Sequence, residues 1–197
     1  MTARPVLTIL RNDALVPAGH LERVATALGV PVDLIALDAG DALPDPLAVD
    51  AVAVLGGEMG AYESDRVPYL EAEKRFLAEV VERDVPVLGL CLGCQLLAEA
   101  LGGSAFLAER PEVAFAAMTE VDPDPVVSAL VDGRSLAMHR DTWELPLGGR
   151  LVARTVGYNG AFRLGSALGV QPHPEVDEPS ATMWLTHPEG TAMAKNA

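Results

Sequence analysis

Apolar and polar positions alternate along the first half of the chain in two recurring forms. Short, mainly apolar runs at 6–10, 32–37, 51–55 and 86–90 have the length of strands, and the continuous run at 51–55 is of the kind buried on both faces of a parallel sheet. Between them lie stretches with helical spacing. In 20–28 the apolar positions are Leu21, Val24, Ala25 and Leu28. In 67–83 they are Tyr69, Leu70, Phe76, Leu77, Val80 and Val81, and the opposite face is charged. The acidic residues Glu63, Asp65, Glu71, Glu73, Glu79 and Glu82 read as a solvated loop and helix face. This alternation predicts a doubly wound α/β fold, with a mostly parallel sheet flanked by helices. In such sheets functional loops gather beyond the carboxyl ends of the strands, where Gly56, Gly57 and Cys91 all fall.

After Gly103 the texture changes to shorter strand-like pieces at 104–108, 113–121, 135–139, 151–156, 161–164 and 167–171, with one short helix at 125–131. They predict antiparallel extension and return strands packed beside the main sheet. With no linker or repeat between the two textures, 1–197 reads as a single domain.

Composition narrows the function mainly by exclusion. Half of the 197 residues are hydrophobic, which suits a globular chain that needs neither metal nor disulfide to hold its core. A formal charge of −14 repels phosphate backbones and anionic membrane surfaces, so neither nucleic acid nor membrane is an expected partner. No apolar run approaches the roughly 18 residues of a membrane helix. The N-terminal apolar stretch reads as a first strand and not as a secretion signal, so the cytoplasm is the expected compartment. Two cysteines only three positions apart give no disulfide framework.

The chemistry concentrates in Pro86-Val-Leu-Gly-Leu-Cys91-Leu-Gly-Cys-Gln95. A strand, a sharp turn flanked by glycines and a helix would place Cys91 at an exposed apex, where the helix N-terminus favours a thiolate. A thiol nucleophile needs a base, and the base works better when a third group fixes its ring. Of the four histidines, His173 stands out in Gln171-Pro-His173-Pro-Glu175. In an extended segment residues two apart face the same way, so Glu175 can hold one ring nitrogen of His173 while the other faces the sulfur. His20 and His187 read as structural, and His139 is open between the two readings.

Gly89-Leu-Cys91-Leu-Gly93-Cys-Gln95 matches the G-x-C-x-G-x-Q elbow, and His173-Pro-Glu175 the H-P-E, of class I (triad-type) glutamine amidotransferases. Gly56-Gly57 resembles that family's oxyanion loop. Met138-His-Arg-Asp-Thr-Trp-Glu-Leu-Pro146 and Pro111-Glu-Val-Ala114 resemble segments of stand-alone members similar to the amidotransferase part of GMP synthase. The resemblance implies a flavodoxin-like fold, a Cys91-His173-Glu175 triad, oxyanion donors at the Gly57 and Leu92 N–H groups, and a substrate pocket formed by Gln95, Gly56, His139, Arg140 and Asp141. It implies hydrolysis of the glutamine side-chain amide through a cysteine thioester, without metal or organic cofactor, and delivery of ammonia to an acceptor on a separate synthase. The sequence departs from the family at Arg140 and Ala114, which replace glycines, and at Glu58, which replaces a proline. A guanidinium in the pocket would favour a carboxylate-bearing ligand or obstruct glutamine. The residues 191–197 are short beside the family's usual final helix.

Three other readings remain open at this level. The chain can be a self-sufficient hydrolase of γ-glutamyl amides or peptides, or a catalytically silent binding or regulatory module of the same fold. Cys91-Leu-Gly-Cys94 is also a C-x-x-C at a helix start, the pattern of a redox site. Oligomeric state is not legible.

Overall fold

The computed structural model describes residues 4–197. The first half builds strands β1 (Leu7–Arg11), β2 (Val32–Ala36), β3 (Ala51–Val54) and β4 (Val87–Leu90), with helices α1 (His20–Ala27), α2 (Tyr69–Glu82) and α3 (Leu92–Ala100). The second half adds β5 (Ser104–Ala116), β6 (Thr119–Glu120), α4 (Pro125–Val131), β7 (Ser135–Glu144), β8 (Arg150–Arg154), β9 (Asn159–Leu164), β10 (Ala167–Val170), α5 (Glu178–Thr186) and α6 (Pro188–Asn196). Eight strands form one sheet in the order β2-β1-β3-β4-β10-β9-β8-β6. Strands β1 to β4 and β10 pair in parallel, and β9, β8 and β6 extend the sheet antiparallel. The expected α/β architecture with antiparallel extension is therefore the observed one.

Side-chain alternation along the central strands divides the core into two layers. Leu10, Val52 and Val54 face α2 and α3, packing with Leu70, Leu77, Val80, Leu92 and Leu96. Ile9, Ala53 and Leu55 point to the other face, with Leu90, Leu168 and Trp184. Both faces are covered, which is why these strands carry no polar alternation.

The structure departs from the sequence expectation in four places. The strands expected at 104–108 and 113–121 are joined through Ala116 as one long strand, β5, which pairs with β7 in a separate two-stranded ribbon, while Thr119–Glu120 is split off as β6 of the main sheet; the β5 register shifts between Leu107 and Glu112, where Pro111 sits. A bulge absorbs the proline within the strand. β7 itself continues past His139 to Glu144. The region after Glu175 holds two helices, α5 and α6, so the segment 191–197 is mostly helical. Finally, α1 buries Ala25 and partly Leu21, while Val24 and Leu28 are exposed at 54% and 74%. This helix lies over the sheet edge at β2, where the covering layer runs out.

The carboxyl ends of β1, β3 and β4 converge on one edge. Asn12 and Cys91 follow β1 and β4 directly, Gly56 lies two residues past β3, and the chain after β10 brings Gln171 and His173 to the same edge. The functional site is assembled there.

Candidate active site

At the end of β4 the chain turns so sharply that two backbones must pass in contact. A Cβ on Gly89 would lie 2.4 Å from the carbonyl oxygen of Gly93, and one on Gly93 would lie 2.3 Å from that of Val54. Only glycine fits at either position. Between them, Cys91 adopts φ 51° and ψ −107° as the N-cap of α3, one of two non-glycine residues with positive φ among those described. Such a conformation costs on the order of 1–3 kcal/mol and persists only where the surroundings impose it. Here the Cys91 N–H donates to the Val170 carbonyl at 2.9 Å, and its own carbonyl accepts from Gln95 N–H at 3.1 Å. The apex is less open than the sequence suggests: Cys91 is 6% exposed, and it reaches solvent through a cavity of about 700 Å3.

His173 lies on the same cavity wall. Its N–H donates to the Leu136 carbonyl at 2.8 Å, which pins the segment to β7, and its Nδ1 meets Glu175 Oε1 at 2.6 Å. Both residues are buried. Burial by itself would lower the proton affinity of His173. The charges of Glu175 and Cys91, with hydrogen bonds to both, outweigh it and raise the pKa to about 10. The surroundings thus favour the protonated ring, with Glu175 on one nitrogen and Cys91 on its other side.

Gly56 and Gly57 form the adjoining rim. A Cβ on Gly56 would lie 3.0 Å from His173 Cε1 and 3.5 Å from Cys91 Cβ, and one on Gly57 would lie 2.8 Å from Leu92 Cδ2. Neither the Gly57 nor the Leu92 N–H donates to a protein acceptor among the described residues. Leu92 follows Cys91 in the chain and Gly57 packs against Leu92, so both N–H groups lie next to the cysteine turn.

The far side of the cavity holds the remaining expected residues. Gln95 is buried and donates from Nε2 to the Asp141 carbonyl at 3.3 Å and to Gln171 Oε1 at 3.4 Å. His139 has both ring nitrogens engaged, with the Asp141 carbonyl at 2.9 Å and with Glu112 Oε2 at 2.9 Å. It can meet a ligand only through its ring surface. Asp141 Oδ1 accepts from the Tyr62 hydroxyl at 2.7 Å, and burial followed by that hydrogen bond pushes Tyr62 up to about 12. Arg140 donates from Nη2 to the Glu58 carbonyl at 2.9 Å, tying β7 to the chain after Gly57. Its guanidinium is still half exposed and lines the cavity, with further N–H groups to offer.

Several site residues escaped the sequence reading. Gln171 is fully buried and its Nε2 lies 3.6 Å from the Cys91 sulfur. The signal was present, since Gln171, His173 and Glu175 share one parity. Trp184 stacks edge-on against His173 at 4.8 Å between ring centroids. Below Gly57, Asn12 donates to Glu73 at 3.2 Å. Glu73, expected on a solvated face, is fully buried, and burial raises its pKa to about 8 against the opposing Asn12 hydrogen bond. Glu58 carries a raised pKa because its carboxyl shares a hydrogen bond with Glu189, before any effect of burial. Cys94 points into the core against Gly169, and burial raises its thiol pKa well above the usual value. That placement gives the C-x-x-C redox reading no accessible second sulfur.

Known proteins resemble the chain in both sequence and fold. The model for glutamine amidotransferase class-I matches residues 19–185. One subunit of the GMP synthase [glutamine-hydrolyzing] of Natronomonas pharaonis is 32% identical over 164 residues, covering 80% of this chain and 82% of that protein. GMP synthase [glutamine-hydrolyzing] of Thermomicrobium roseum is 34% identical over 133 residues, which is 66% of this chain and only 24% of that longer protein. The crystal structure of a glutamine amidotransferase from Thermotoga maritima superposes with a TM-score of 0.87 at 28% identity, covering 98% of this chain and 86% of that one.

Proposed function

This chain belongs to the class-I glutamine amidotransferase family, and on that premise we propose that it hydrolyses the side-chain amide of glutamine through a thioester on Cys91. The observation that carries the reading is the constellation at the sheet edge: a cysteine held at φ 51° on a helix N-terminus, beside a histidine whose far nitrogen is gripped at 2.6 Å by a buried glutamate.

In the proposed reaction the Cys91 thiolate attacks the amide carbon, and the carbonyl oxygen gains the charge. The Gly57 and Leu92 N–H groups receive that oxyanion, a contribution worth about 3–4 kcal/mol of barrier per donor. The His173 imidazolium then gives its proton to the departing nitrogen, the C–N bond breaks and ammonia leaves. Water attacks the thioester, with His173 taking its proton, and glutamate and the free thiolate are regenerated. Glu175 orients the ring and balances its charge. Gln95, Asp141 and the free N–H groups of Arg140 hold the amino-acid end of the substrate, with Gly56 on the adjoining rim; the tie from Arg140 to Glu58 makes it a support of the oxyanion loop as well. His139 braces the Asp141 segment.

The chain spans about a quarter of the length of the full-length GMP synthases it matches, among them one of 24% coverage. The relative of matching length is named as one subunit of such a synthase. We propose on that likeness that the ammonia serves an amidation carried by a separate polypeptide. Glutamate release from glutamine by the purified chain, lost in Cys91→Ala, is the expected result; undiminished release by Cys91→Ala overturns the assignment.

A further inference from the structure

Glutamine fills only part of the cavity, and the two sides of the cavity differ in chemistry. At about 700 Å3 it lies within the range of roughly 300–1,000 Å3 that encloses drug-sized ligands. Because Glu175 holds Nδ1 of His173, the proton for the leaving nitrogen comes from Nε2, and the leaving group departs on the His173 side. That side is apolar. A Cβ on Gly56 would meet Val16 Cγ1 at 3.3 Å beside His173, Trp184 packs edge-on against the ring, and the Trp184 indole N–H donates to the Leu15 carbonyl at 2.6 Å. Leu15 and Met183 complete the wall with 44% and 38% of their surface exposed. The acyl side, by contrast, carries Gln95, Arg140 and Asp141.

An apolar wall does nothing to hold ammonia. It does hold an apolar group attached to the leaving nitrogen, since burial of hydrocarbon is favourable wherever water is displaced from both surfaces. We infer that the site accepts γ-glutamyl amides whose amine carries an uncharged apolar substituent, seated against Leu15, Val16, Met183 and Trp184. This rests on the reading of Cys91 and His173 as an amide-hydrolysing pair. The rim of the cavity also carries Asp13, Glu58 and Glu189, while Arg66 there is paired with Glu63 at 2.7 Å and Arg140 belongs to the acyl side. A carboxylate on the leaving amine meets that negative rim, so simple arylalkylamides are preferred over γ-glutamyl peptides. The reaction balances as before: thiolate attacks the amide carbon, His173 protonates the substituted nitrogen, the C–N bond breaks to release the amine, and water cleaves the thioester to glutamate.

The test is glutamate release by the purified chain from glutamine, γ-glutamylbenzylamide and γ-glutamylphenylalanine. A methylene in an apolar pocket changes selectivity by about 10–200-fold, so kcat/KM for the benzylamide is expected at least about tenfold above that for either competitor. Met183→Glu is expected to lower benzylamide turnover about tenfold more than glutamine turnover. Cleavage of glutamine with no benzylamide cleavage, or with equal loss for both in Met183→Glu, overturns this inference and leaves the parent reading standing. Silence with all three substrates counts against the parent reading instead. A binding measurement then decides the inference separately: Cys91→Ala is expected to bind γ-glutamylbenzylamide at least about tenfold more tightly than glutamine, and equal or weaker binding overturns it.

Discussion

Gln171, His173 and Glu175 occupy alternate positions of one extended segment, and each faces the next member of the site: sulfur, ring, carboxylate. The proposed division of labour predicts different kinetic losses. Replacing the base, His173→Gln, is expected to lower kcat by about 10²–10⁴-fold. Glu175→Gln, which keeps the shape and removes the charge that stabilises the imidazolium, is expected to lower kcat by roughly 10²-fold with KM little changed. A rise in KM alone for Glu175→Gln would place that carboxylate in substrate binding instead. The parity that ties Glu175 to His173 was readable in sequence; that it extends to Gln171 was equally readable, because the spacing is the same. Glu73 was readable for the same kind of reason. It stands three positions after Leu70 and three before Phe76, both buried on the same face of α2. Its acidic character points to solvent, but helical phase is the stronger signal at this position. With its carboxyl protonated up to about pH 8, Glu73→Gln is expected to leave stability unchanged at pH 4 and to raise the unfolding free energy by about 2–4 kcal/mol at pH 8 in urea titrations. Destabilisation at pH 8 would mean that an ionised Glu73 has a partner.

Among the elements, the β4–α3 elbow is the one whose geometry the chemistry depends on. Its two glycines are contacts with backbone carbonyls, which cannot rotate away as side chains do. Gly93→Ala drives a methyl to 2.3 Å from the Val54 oxygen and is expected to cost roughly 2–4 kcal/mol of stability, measurable as a shift in the urea midpoint. An unchanged midpoint would show that β3 yields at no cost. The elbow was legible because glycine, cysteine and a helix-forming run occur in a fixed order that few other structures require. Helices α5 and α6 were not legible. α5 buries only Ser180, Ala181 and Trp184, α6 only Gly190, and Pro188 separates them by a break in hydrogen bonding. Yet α5 supplies Trp184 and Met183 to the cavity, so the wall proposed to meet the leaving group was the part hidden from sequence. In the β5–β7 ribbon the gap between the pieces at 104–108 and 113–121 is a bulge inside one strand, which local sequence does not distinguish from a loop.

For the molecule as a whole, the buried ionisable groups set a direction for stability against pH. His173 holds a proton up to about pH 10 that the unfolded chain releases near 6.5, so its contribution is complete below 6.5 and is lost as pH rises through about 10. Glu73 holds a proton up to about pH 8 that the unfolded chain releases near 4.5, so ionisation disfavours the folded state over that window. The formal charge of −14 adds self-repulsion in the same sense. The unfolding free energy is therefore expected to fall continuously from about pH 5 to about pH 10. A plateau or rise between pH 7 and pH 9 would mean that the imidazolium and the neutral Glu73 are not features of the folded state. Among the described residues no helix is long and apolar enough to cross a membrane, and no cluster of ligating side chains could hold a metal ion. The proposed chemistry passes through one covalent intermediate. Mass analysis of peptides after acid-quenching the protein during turnover of glutamine tests it directly: a glutamyl group on the peptide containing Cys91, lost when Cys91 is alanine, is the predicted result, and glutamate production without that adduct, or an adduct confined to Cys94, contradicts it.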